Sequence, residues 1–100
     1  MNIVIFEPYR QQYQKEIEGT LDSMKLIVGG ELDIISLQDS YLIVCNKNGI
    51  SLRLRQNNHR DNMVGIFFVA KKLDGMIIGL EKKEARKFTA KNFIFNKNLI

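Results

Sequence analysis

The sequence predicts an α+β domain: a mainly antiparallel sheet of four to five strands with two helices, the first between strands 1 and 2 and the second near the C-terminus. Three observations lead there. A helical rhythm, Tyr13, Ile17, Leu21, Met24 and Val28 at spacings of three and four, stops at Gly29-Gly30 and hands over directly to an extended apolar stretch, Leu32, Ile34, Ile35 and Leu37. Later apolar runs are joined by polar connections so short that the strands must be antiparallel. Finally, Glu81 to Phe93 is dense in helix formers.

In order along the chain, Met1 to Glu7 is a β-branched and aromatic run that Pro8 ends, because proline cannot donate to a ladder. The helix is expected from between Pro8 and Gln12 to Val28, with Gly19 on its exposed face at a cost of about 1 kcal/mol relative to alanine. Gly29 or Gly30 supplies the left-handed residue that closes it. A double glycine can also cradle phosphate, but phosphate loops run from strand into helix and here the order is reversed. The following strand turns through Gln38-Asp39-Ser40 and returns as Tyr41 to Asn46.

After the turn at Asn48-Gly49, Ile50, Leu52 and Leu54 alternate with Ser51, Arg53 and Arg55, the cleanest period-two pattern in the chain. It predicts a half-buried strand with two guanidiniums about 7 Å apart on its solvent face, from a rise of about 3.3 Å per residue. Gln56 to Asn62 has no hydrophobic anchor and reads as a mobile surface loop. Met63 to Ala70 is the most apolar run and predicts a central strand covered on both faces, with Phe67 and Phe68 in the core. Lys71 to Gly75 is a basic turn, Met76 to Leu80 a short extended piece, and Glu81 to Phe93 the second helix, its apolar stripe reduced to Ala85, Phe88 and Asn92 or Phe93. Both helices are expected on one side of the sheet. The apolar end, Ile94 to Ile100, reads as an edge segment or a contact surface.

One hundred residues, 45% apolar and 26% charged, are the ordinary balance of a single globular domain. No apolar run approaches the length that spans a bilayer, and the first residues lack a basic lead and a cleavage site, so the expected location is the cytoplasm. The one cysteine, Cys45, lies in an apolar run and reads as a buried structural thiol. The one histidine, His59, lies in a polar stretch with no cysteine or carboxylate pattern that would complete a ligand set, so neither a metal nor a cofactor is expected. Charge is divided: residues 1 to 50 hold four basic and seven acidic side chains, net −3, and residues 51 to 100 hold eleven basic and four acidic, net +7. The basic half suits a partner bearing phosphates or carboxylates.

Several stretches together carry a family resemblance: Glu7-Pro8, Tyr13, Glu16-Ile17 and Thr20-Leu21, then Ile27 to Leu32 across the double glycine, Leu42 to Asn46 with Asn48-Gly49, and Gly65 to Val69. Over about residues 1 to 90 they resemble a small domain of unknown function found in phages and conjugative elements of Gram-positive bacteria. The segment from Arg53 to Asn62 and the end after Phe93 depart from that pattern. The resemblance implies an accessory product of a mobile element, a setting rich in antagonists of restriction and CRISPR defence, and it brings no catalytic residue with it.

The expected function is therefore non-enzymatic: antagonism of a host defence system by stoichiometric protein binding, with the effector nuclease of a type II CRISPR system as target. A DNA mimic would be strongly acidic; this chain is basic, which suits an acidic protein surface or a guide-bound complex. The expected partner-binding residues are Arg53, Arg55, Arg60, Lys82, Lys83, Arg86 and Lys87. The alternative is a basic nucleic-acid-binding accessory protein, whose affinity would fall steeply with salt. No helix-turn-helix, zinc spacing or aromatic RNA platform supports base recognition. An enzymatic reading has least support, because the carboxylates are scattered rather than gathered in a cleft.

Overall fold

The computed structural model describes residues 1–95. Among them six strands and two helices follow in the order β1 (Asn2–Phe6), β2 (Tyr13–Glu16), α1 (Leu21–Val28), β3 (Leu32–Ser36), β4 (Tyr41–Asn46), β5 (Phe67–Leu73), β6 (Met76–Ile78) and α2 (Lys82–Thr89). Every pair is antiparallel; the sheet runs β2-β1-β5-β4-β3, with β6 paired to the distal half of β5. The α+β class and the antiparallel sheet agree with the sequence, with six strands instead of four to five. Ile94 to Ile100 was expected as an edge or contact segment, and its residues 96–100 lie outside the described residues.

Alternation along the central strands separates two cores. Ile3, Ile5, Leu42, Val44, Phe68 and Ala70 face α1, which contributes Met24 and Val28. Val4, Phe6, Ile43, Cys45, Phe67 and Val69 face α2, which contributes Ala85 and Phe88. The helices thus cover opposite faces, and the expectation of both on one side is corrected. A sheet whose central strands are apolar on both faces must be covered on both. Each helix is short and holds on by few side chains; burying Phe88 is worth about 1.5–3 kcal/mol.

The expected first helix is half helix and half strand. Tyr13 to Glu16 pairs with β1, Ile5 opposite Tyr13 and Asn2 opposite Glu16, and the Ile17 N–H continues the ladder to the Met1 carbonyl at 2.9 Å. The first helix therefore follows the second strand. Thr20 is its N-cap, with Oγ1 accepting from the Ser23 N–H at 3.1 Å, and Gly29 at φ 80° closes it as expected. The hairpin through Gln38-Asp39-Ser40 forms, with the Leu37 N–H donating to the Tyr41 carbonyl. The basic turn contracts to Asp74-Gly75, both at positive φ, and Lys71 and Lys72 extend β5.

Ile50 to Arg55 is not a strand. Backbone bonds from Leu52 to Asn48, Arg53 to Ile50 and Leu54 to Gly49 wind it into consecutive turns. The reason is topological: β4 already has β3 on one side and β5 on the other, so its continuation finds no free ladder. Gln56 to Asn62, expected to lack an anchor, is pinned by Asn57, which is 2% exposed. The second helix ends at Thr89, not Phe93, because the Gln12 amide, itself buried, donates to the carbonyls of Phe88 and Ala90 at 3.0 and 3.1 Å.

Candidate functional site

Three connections meet at one end of the sheet: the segment after β1, the C-terminus of α1, and the long stretch between β4 and β5. Two buried asparagines tie them. The Asn46 amide donates to the Val28 carbonyl at 3.1 Å, while its Oδ1 accepts from the Asn48 N–H. The Asn57 amide donates to the carbonyls of Phe6 and Gly65 at 3.0 and 2.9 Å, while its Oδ1 accepts from the His59 N–H. His59 Nε2 lies 2.7 Å from the Arg10 carbonyl and 3.1 Å from that of Glu7. Carbonyls only accept, so this nitrogen carries the proton. The Asn58 side chain accepts from the Tyr9 N–H.

On that hydrogen-bonded frame several large apolar side chains stand in solvent, as Leu73, Met76 and Ile94 do elsewhere. Leu26 is 83% exposed, Ile50 82%, Tyr9 58% and Leu52 56%. The Arg55 guanidinium sits over the Tyr9 ring, 4.6 Å from its centroid. Among the described residues six non-glycine positions have positive φ, and those of Asp39, Ser40 and Asp74 belong to hairpin turns. Asn62 is a residue that tolerates this conformation. Tyr9 at 60° and Arg53 at 55° have no such reason, and both stand at this end. Backbone strain of about 1–3 kcal/mol per residue persists where surrounding structure imposes it, and it gathers at functional sites.

Beside Tyr9 a groove of about 510 Å³ runs between α1 and the segment around residue 54, lined by Pro8, Leu26, Ile27, Leu54 and Ile66 together with Arg10, Arg55 and Glu7. The Glu7 carboxylate accepts from the Tyr13 hydroxyl at 2.6 Å. Burial and then this hydrogen bond push the Tyr13 pKa up to about 12.

The seven residues expected to bind a partner do not form one line. Arg55 belongs to the exposed end, and Arg53 sits in its turn at a left-handed φ, so the two do not share a strand face as expected. Arg60 is half-buried and lies near enough to Cys45 to act on its thiol. Lys82, Lys83 and Arg86 are exposed on α2. Lys87 lies over the Tyr41 and Phe88 rings, 5.3 and 5.6 Å from their centroids, and therefore belongs partly to packing. Tyr9, Arg10 and Leu26 were missed. Leu26 was legible as an apolar residue two positions from both Met24 and Val28, off the buried stripe; Tyr9 was hidden by starting the helix too early.

On the other side of the molecule Lys71 and Glu84 pair at 2.7 Å. Burial pushes the Glu84 carboxyl up, but bonds from Lys71, the Glu81 N–H and the Tyr41 hydroxyl outweigh it and leave it below its ordinary value. Lys71 is raised, chiefly by its bond to Glu84. This cluster fastens α2 to the sheet. Cys45 is buried as expected, and desolvation, then the Asp33 charge, raises its thiol, opposite to what a nucleophile needs. His59 is committed to the carbonyls of Glu7 and Arg10. Among the described residues no three His, Cys, Asp or Glu side chains are placed to share a metal ion, and no helix is long and apolar enough to cross a membrane.

Fold and surface together define a small α+β domain whose distinctive chemistry is displayed on an outer end rather than enclosed in a cleft. The chain belongs to the family described as "Domain of unknown function (DUF3846)", which matches residues 1–92. Neither a curated protein nor a solved structure matches it.

Proposed function

We propose that the chain is a non-enzymatic binding protein of a phage or other mobile element, which antagonises a host defence system by occupying a protein partner, the effector nuclease of a type II CRISPR system being the target to test. One observation supports binding above other roles: exposed Leu26, Ile50, Leu52 and Tyr9 share one hydrogen-bonded end with Arg53 and Arg55, and the Arg55 guanidinium lies over the Tyr9 ring. Tyrosine and arginine beside exposed apolar side chains are the composition of protein-binding hot spots. The mobile-element setting rests on the sequence resemblance, not on the geometry.

The test is co-expression of the chain with such an effector, followed by size-exclusion chromatography and a DNA-cleavage assay. The expected result is a stoichiometric complex that survives nuclease treatment, inhibits cleavage, and is lost in the Arg53→Ala/Arg55→Ala double variant. A chain that neither co-elutes nor inhibits overturns this target.

A second reading has its own observation. Lys82, Lys83 and Arg86 stand exposed on α2 with no ion pair among the described residues, as a phosphate-binding face would require. That face would bind nucleic acid without base recognition, and the affinity would fall with salt.

A further inference from the structure

We infer that the groove between α1 and the Leu54–Ile66 wall receives an extended acidic segment of the partner, burying one large apolar side chain while a neighbouring carboxylate meets Arg55. This deepens the docking reading above and rests on it. The groove, about 510 Å³, is walled by aliphatic side chains, Leu26, Ile27, Leu54 and Ile66, and by Pro8. That lining suits one leucine or phenylalanine side chain, as in peptide recognition by alternate side-chain pockets.

Charge selects the rest of the ligand. Arg10 and Arg55 line the groove, two positive charges against the single carboxylate among the lining residues, Glu7, which also accepts from the Tyr13 hydroxyl. Arg55 is held in place by the Tyr9 ring, so less freedom is lost when a carboxylate engages it. A nucleic-acid strand fits less well. Its bases would need an open aromatic face, and the Tyr9 ring carries Arg55 while the groove walls are aliphatic.

The experiment is an NMR titration of the 15N-labelled chain with a capped synthetic peptide, Glu-Asp-Phe-Glu-Asp-Leu-Glu, with its Gln/Asn analogue, and with a fifteen-nucleotide oligothymidine. The expected result is amide shifts at Leu26, Gly29, Leu54, Arg55 and Ile66 with the acidic peptide. The uncharged analogue should bind about tenfold more weakly, the equivalent of about 1.4 kcal/mol. Arg55→Glu should abolish the shifts, and Leu26→Ser, at a groove-lining position that is 83% exposed, should weaken them while the dispersed spectrum of a folded chain remains.

Equal binding of the uncharged analogue, shifts confined to α2, or no shift at millimolar peptide would each overturn the inference. If the peptide is silent while Arg53→Ala/Arg55→Ala still destroys the effector complex, the linear-segment proposal alone fails. If instead oligothymidine produces salt-sensitive shifts at these same residues and the peptide produces none, the docking reading fails with it. Concentration-dependent shifts without any peptide would assign the groove to a second copy of the chain and also overturn the proposal.

Discussion

Asn57 is almost fully buried, and its side chain uses both amide hydrogens and its oxygen on the backbone of Phe6, Gly65 and His59. Asn57→Ala takes one donor from each of two carbonyls, Phe6 and Gly65, and the acceptor from the His59 N–H, and a buried group left short of a partner costs about 1–3 kcal/mol. Equilibrium urea unfolding of Asn57→Ala should therefore show a loss of about 3 kcal/mol, with unchanged cooperativity; a loss under about 1 kcal/mol would mean that the end frame is held otherwise. This role was not legible, because Asn57 sits in a run of polar residues where sequence gives no sign of which one turns inward. Glu84 was equally hidden as a partner, since Lys71 lies thirteen positions away. Its lowered pKa fixes the sign of a pH effect. The ionised carboxylate contributes stability fully above the unfolded value, near 4.5, and that contribution is lost as pH falls through the lower folded value. Lys71, raised in the fold, contributes fully below its ordinary 10.5 and loses the contribution as pH rises through the folded value. Wild type should exceed Glu84→Gln in urea midpoint throughout the neutral range, and the gap should close progressively below pH 4.5. A gap that persisted through acid titration would assign Glu84 a capping role alone.

The elements were legible where period and punctuation agreed and misread where only one was heeded. Tyr13, Ile17, Leu21, Met24 and Val28 keep helical spacing, yet Gly19-Thr20 carries both a helix breaker and an N-cap, and α1 begins only after it, while β2 has ended at Glu16. Ile50 to Arg55 had the right period but follows β4, which is already paired on both sides, a property of the assembled sheet. Gly79 shows what tight assembly demands of one residue. A Cβ there would stand 2.6 Å from the Asn2 nitrogen, beside the 2.7 Å bond from the Leu80 N–H to the Asn2 carbonyl. Gly79→Ala must push β6 and the start of α2 away from β1, and urea unfolding should show a cost of about 2–3 kcal/mol. β3 poses the opposite problem, an uncovered edge. Bonds from Leu37 to Tyr41 and from Lys47 to Glu31 fix the odd-numbered positions as the paired ones, so Leu32, Ile34 and Ser36 turn their backbone groups outward. The Asp33 carboxylate occupies the Ile34 N–H at 3.0 Å and places a charge beside an Ile34 side chain that is 41% exposed. Asp33→Ala should remain folded and associate through that edge, visible as dimer in sedimentation velocity at high concentration; a monomer throughout would show that the edge needs no such guard.

At the scale of the whole molecule, the basic half of the sequence does not become one basic face. Arg53 and Arg55 stand at the hydrogen-bonded end with exposed apolar side chains, whereas Lys82, Lys83 and Arg86 stand on α2, which covers one face of the sheet. Net charge was legible because it is a sum; its partition was not, because it depends on the helices lying on opposite faces. The partition makes the two functional readings separable in one binding series. Protein docking through the end predicts that Arg53→Ala/Arg55→Ala weakens the partner complex at least tenfold, about 1.4 kcal/mol, while Lys82→Ala/Lys83→Ala/Arg86→Ala changes it little. Phosphate binding through α2 predicts the reverse for nucleic acid. Each lost phosphate contact should lower the slope of log affinity against log salt by about 1, so the α2 triple variant should lose about 3 from it across any sequence. Surface plasmon resonance of the three proteins against the effector and against duplex DNA, at several salt concentrations, reads both quantities. A triple variant that abolishes effector binding while the double variant leaves it intact would move the docking surface from the exposed end to α2, because a charge that is only solvated leaves neither slope nor affinity changed when it is removed.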